Sequence, residues 1–132
     1  MNGRELSLAF AAGAFGALVN SAAVWAAGEY GLTGRFGVHI APAFTAAWLY
    51  PRLIWGGLWG FLFLLPLSPG SWWKRGALLG LAPAAAQLLY FAPQGRVGMF
   101  SMNLGTLAPA FVVVFNVIWG LAAAFWLERV AR

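Results

Sequence analysis

Charge interrupts this chain only at intervals, and the stretches between are apolar. Residues 6–28, 36–51, 53–73, 76–95 and 97–127 contain no Asp, Glu, Lys or Arg. A helix needs about 20 apolar residues to cross a hydrocarbon core. Residues 6–27 therefore predict a first span, 76–92 a slightly short third, and 104–127 a fourth, with Pro109 tolerated in its first turns. Residues 53–67 are short for a second span. Residues 36–51 are too short for another, and they carry His39 and Pro42. The pattern leaves four spans and five as competing solutions.

A repeat decides between them. Gly16-Ala17-Leu18-Val19 returns as Gly76-Ala77-Leu78-Leu79, and Gly34-Arg35-Phe36-Gly37-Val38 as Gly95-Arg96-Val97-Gly98-Met99. Ala41-Pro42-Ala43-Phe44 returns unchanged as Ala108-Pro109-Ala110-Phe111, and Ile54-Trp55-Gly56 as Ile118-Trp119-Gly120. The order is kept, which is how a duplicated unit reads. Each unit is a helical hairpin, about 6–67 and 76–128, so four spans follow. Two parallel copies imply a pseudo-twofold axis along the membrane normal. The expected fold is an all-α integral membrane protein, a four-helix bundle from two duplicated hairpins. A short or broken helix at about 40–50 precedes its second span. Gly13 and Gly16 on the first helix, Gly56, Gly57 and Gly60 on the second, and Gly76 and Gly80 on the third offer small faces for close packing.

Composition agrees with lipid as the solvent. The 132 residues are 62% hydrophobic and 8% charged, against roughly a quarter charged in ordinary globular domains. Nothing resembles a cleavable leader, because residues 6–27 exceed an h-region and no polar mature domain follows. The net charge of +5 reads as topology and phospholipid contact rather than nucleic-acid binding, since the cations sit between apolar runs. Five cations fall on each solution's richer side and three on the other, so charge alone does not choose the topology. In the four-span frame both termini and Lys74-Arg75 are cytoplasmic, and Arg35 and Arg96 face the other side. The default compartment is a bacterial inner (plasma) membrane. Trp72, Trp73 and Trp126 lie where interfacial aromatics belong, and Trp48 and Tyr50 mark the opposite interface.

Arg52 is the ambiguous residue. The repeat pairs it with Asn116, each two positions before its Ile-Trp-Gly, with three extra residues in the first copy between the Ala-Pro-Ala-Phe and Ile-Trp-Gly matches. Superposed copies place Arg52 roughly 15 Å along a second helix broken at Pro51. There it costs at least about 2.5–3.5 kcal/mol unless paired or hydrated. The alternative makes Pro51 a turn and Arg52 a snorkelling interfacial anchor, with Tyr50 pushed out of helical conformation by the following proline. The interfacial reading is preferred, because insertion scales penalise a central Arg.

Asn20, Ser21, Gln87 and Asn116 lie inside predicted spans and need partners there, most simply on other helices. Arg52, Asn116, Asn20 and Gln87 are the candidates for a polar pathway. Glu29, Arg35, His39, Arg96 and Asn103 are candidates for its non-cytoplasmic mouth, and a Glu29 ion pair with Arg35 or Arg52 is expected there. Zero cysteines and one histidine supply no metal site within the chain, and no cofactor is expected. No nucleophile–base–acid set or phosphate loop is visible, so the chain does not read as an enzyme. The expected function is a homo-oligomeric pore or carrier for a small solute. The alternative is a non-catalytic accessory or assembly subunit of a larger membrane complex. Expected partners are membrane lipids and further copies or subunits.

Overall fold

The computed structural model describes residues 2–38, 40–66, 70–91, 105 and 107–130. It is all-helical, with four substantial helices. Helix α1 spans Gly3–Glu29, and the Asn2 side chain caps it by accepting from the Glu5 N–H at 2.8 Å. Gly31, at φ 80°, turns the chain into the single-turn α2, Leu32–Arg35. The buried Thr33 fixes this corner by donating from Oγ1 to the Ile40 carbonyl at 2.9 Å.

Helix α3 spans Ala46–Trp59 and tightens into a 3₁₀ segment over Gly60–Leu64. Helix α4 spans Trp72–Ala86 and widens into π geometry over Gln87–Phe91. Helix α5 spans Ala108–Val130. Two of these, α1 and α5, are long and apolar enough to cross a membrane.

The second helix departs from expectation. Residues 41–45 are not helical, and α3 runs unbroken through Pro51 and Tyr50. No short helix at 40–50 precedes it. Two forces account for this. Thr45 caps the helix, its side chain accepting from the Trp48 N–H at 3.2 Å, and capping contributes about 1 kcal/mol. Pro51 removes one intrahelical bond, to the Ala47 carbonyl. The tertiary bonds of Arg52, one residue later, hold the helix on α1.

The helices alternate in direction and pack in the order α3–α1–α5–α4. A pseudo-twofold axis between parallel hairpins maps α1–α5 packing onto α4–α3 packing. Helices α3 and α4 are not packed on each other, so the bundle is an open row. Small residues explain the difference. A Cβ on Gly13 would run into the Gly56 carbonyl oxygen on α3, while one on Gly16 would lie 2.5 Å from the Trp119 carbonyl oxygen on α5. Helix α1 thus has two close-approach faces. Gly76 and Gly80 both turn to α5, against Gly120 and Asn116, which leaves α4 with one.

Both hairpins are closed by the same device. Gly56 sits over Gly13 and Ala17, and Gly120 sits over Gly76 and Gly80. This register pairs Gly13 with Gly76, one turn away from the Gly16–Gly76 match of the sequence alignment. The interior is correspondingly small: Ala12, Ala108 and Ala123 are fully buried. Ile54 and Val114 point outward, 57% and 53% exposed, while Phe63, Phe115 and Trp119 are buried.

Candidate functional site

The first helix supplies an unusual pair, Asn20 and Ser21, both buried in the middle of an apolar rod. Arg52 reaches them from α3. Its Nε donates to Ser21 Oγ at 2.8 Å and its Nη2 donates to Asn20 Oδ1 at 2.6 Å. The Asn20 amide nitrogen donates onward to the Phe115 carbonyl of α5 at 2.6 Å. One side chain therefore joins three helices and satisfies its own polar atoms, as an amide in an apolar interior requires. Trp48 lies over the guanidinium, its ring centroid 4.6 Å from Cζ. This is cation–π geometry.

Arg52 thus lies inside α3 rather than after a turn at Pro51, and its guanidinium turns inward to mid-α1. Three neutral contacts stabilise the charge: two hydrogen-bond acceptors and an indole face. Trp48 covers Arg52 instead of serving solely as an interfacial anchor.

Arg52 lines a cavity of about 530 Å³. Its floor is Asn20 and Val24 of α1 with Phe115, Asn116 and Trp119 of α5. One wall is Pro51, Arg52, Trp55 and Trp59 of α3; the other is Pro83 and Gln87 at the end of α4. The cavity lies where α3 and α4 flank the α1–α5 pair without packing on each other. All four pathway candidates, Arg52, Asn116, Asn20 and Gln87, line this one space. Asn116 and Arg52 share the cavity but not a bond: Asn116 Nδ2 donates to Val112 of its own helix at 2.8 Å.

The mouth candidates divide. Glu29 and Arg35 are exposed at the end of α1 and on α2. Glu29 pairs with neither Arg35 nor Arg52 among the described residues, because Arg52 turns away to Asn20 and Ser21. His39, Arg96 and Asn103 lie outside the described residues. Ser21, Trp48 and Phe115 are site residues that the candidate set lacks. The available signal was the adjacency of Asn20 and Ser21 in a charge-free run, with Arg52 isolated between two later apolar runs.

At the opposite end of α3, Arg75 of α4 donates through Nη2 to the carbonyls of Phe63 and, at 3.3 Å, Leu65. It ties the 3₁₀ segment to the first turn of α4. Trp119 donates from its indole nitrogen to the Gly13 carbonyl at 2.9 Å, joining α5 to α1 just below the cavity. Compared with known proteins, the chain matches no family model, no curated protein and no solved structure.

Proposed function

We propose that this chain is a small inner-membrane transport protein with four membrane segments. In this reading α1, α3 with its 3₁₀ extension, α4 with its π segment, and α5 each cross the bilayer, with both termini cytoplasmic. Helix α3 and its extension reach roughly 30 Å, enough for the hydrocarbon core. Glycines at the helix contacts and exposed large apolar residues such as Ile54 and Val114 also support lipid as the surrounding solvent, since helix association there relies on close packing of small side chains.

The single observation that carries the transport reading is the position of Arg52. A charge held by mid-helix partners against a cavity, with Asn116 and Gln87 on its other surfaces, has the character of a solute path. The cavity is incomplete on the α3–α4 side, so further copies of the chain complete the path in a homo-oligomer. No step of this function requires a cofactor or a covalent reaction, so we propose a non-enzymatic role.

The test is flux in proteoliposomes across a panel of small solutes, comparing wild type with Arg52→Gln. Saturable flux in wild type that falls at least tenfold in the variant is expected. Unchanged flux in the variant removes Arg52 from the path. No flux for any solute, with a second protein co-purifying in mild detergent, favours the accessory-subunit role.

A further inference from the structure

The hydrogen bonds of Arg52 determine what else it can hold. A guanidinium presents its five N–H groups along distinct edges of a plane. Nε–H and one N–H of Nη2 share one edge, and that edge is occupied by Ser21 and Asn20. One face of the plane is covered by Trp48. The end-on edge remains: two parallel donors, one from Nη1 and the other from Nη2. Among the described residues no acceptor bonds to this edge. It is not sealed in the interior either, because the only described buried side-chain polar atom without a partner is Nε of Arg75. Nη1, which has no partner among the described residues, thus keeps accessible surface, and Arg52 lines the cavity.

The cavity contains no counter-charge. None of its lining residues is Asp or Glu. Glu5 and Glu29 lie in the first and last turns of α1, and Glu128 lies near the end of α5. A half-buried cation held only by neutral groups favours an anion, and two parallel N–H donors match the two oxygens of a carboxylate. Beyond the fork the walls are apolar and aromatic, with Trp55, Trp59 and Phe115. A volume of about 530 Å³ is in the range of small-molecule sites.

We propose that the end-on edge of Arg52 binds the carboxylate of a small organic monoanion, whose apolar part lies against Trp55, Trp59 and Phe115. This deepens the transport reading and rests on the same cavity. Asn20 and Ser21 are positioning residues: by fixing one edge of the guanidinium they aim the other. The carboxylate belongs either to a water-soluble acid or to a fatty acid entering from the lipid between α3 and α4.

Equilibrium dialysis of the detergent-purified full chain tests this directly, with benzoate, its neutral analogue benzamide, laurate and inorganic phosphate as probes. Saturable benzoate binding, at least about tenfold tighter than benzamide and phosphate, is expected. Arg52→Lys keeps the charge and loses the fork, and it weakens binding at least about tenfold. Saturation by laurate alone also supports the carboxylate edge and assigns its source to lipid. Benzamide or phosphate binding as tightly as benzoate overturns the proposal, and the wild-type comparison does so even if Arg52→Lys fails to fold. Unchanged benzoate affinity in a folded Arg52→Lys overturns it too, as does the absence of saturable binding for both benzoate and laurate. Intact binding without flux in proteoliposomes removes the transport reading and leaves this site standing.

Discussion

Asn20 donates to the Phe115 carbonyl at 2.6 Å while its oxygen accepts from Arg52. The two bonds run in opposite senses along one amide, so no isosteric replacement preserves both. Asn20→Leu takes one acceptor from the charged Arg52, which keeps only Ser21, and removes the side-chain donor from the helical Phe115 carbonyl. The expected loss is roughly 2–4 kcal/mol, seen as a lower midpoint in chemical unfolding in detergent. Asn20→Asp keeps the acceptor for Arg52 but turns a carboxylate oxygen toward Phe115. By filling the charge balance of the cavity internally, it also competes with any bound anion.

The glycine contacts give a sharper contrast. A Cβ at position 120 would collide with the Gly76 carbonyl oxygen, whereas one at position 34 meets nothing within 4 Å. Gly120→Ala is expected to destabilise the protein by about 1–3 kcal/mol or to separate α4 from α5. Gly34→Ala stays within about 0.5 kcal/mol of wild type. Thermal unfolding of the two purified variants measures both. Equal stability for the two variants removes close backbone packing as the basis of the second hairpin.

Trp55 and Trp119 occupy matching positions of the two Ile-Trp-Gly segments but face different surroundings. Trp119 is 4% exposed and bonded to Gly13, while Trp55 is 57% exposed beside the cavity. Trp119→Phe loses a buried hydrogen bond and leaves the Gly13 carbonyl without its indole donor, at about 1–3 kcal/mol. Trp55→Phe changes stability by less and alters the wall of the cavity. Unfolding midpoints of the pair, read beside benzoate affinity, separate the structural tryptophan from the binding one.

Arg75→Ala removes the donor that closes the carbonyl end of the 3₁₀ segment. The amides of Gly60–Leu64 should then exchange at least about tenfold faster, while those of mid-α1 keep their protection. Hydrogen–deuterium exchange with mass spectrometry reads both regions in one sample.

The four-segment topology is testable because the chain has no cysteine. Single cysteines at positions 2 and 71 should react with an impermeant maleimide only from the cytoplasmic side, and one at position 34 only from the other. Labelling of positions 2 and 71 from opposite sides contradicts the proposed arrangement.

Much of the helical layout was legible in the sequence, because α1 and α5 are long apolar runs, bounded by charge at both ends of α1 and at the C-terminal end of α5. Helix α3 was harder to read. Pro51 and the residue before it carry a strong local signal against helix, while the competing signals are a single threonine cap and bonds to residues 31 and 32 positions away. Hydrophobic periodicity does not encode such bonds. Asn20, Gln87, Arg52 and Asn116 stood out as polar groups in apolar runs, so the members of the site were recognisable while its wiring was not. The packing order was the least legible part. It depends on which side of a helix each glycine faces, and Gly13 and Gly16 differ in partner although they lie one turn apart.

The separations within the Arg52 cluster also order its assembly. Ser21 and Asn20 are 31 and 32 residues from Arg52, whereas Phe115 and Trp119 are 95 and 106 residues from their partners on α1. A chain made from its N-terminus therefore emerges with the guanidinium and both its acceptors already synthesised, long before α5. The first hairpin can shelter its own charge while it waits. Helix α5 arrives last, and with it the Phe115 acceptor and the Trp119 donor that lock α1 in place, so the newborn half-protein is electrostatically provided for before it is mechanically complete.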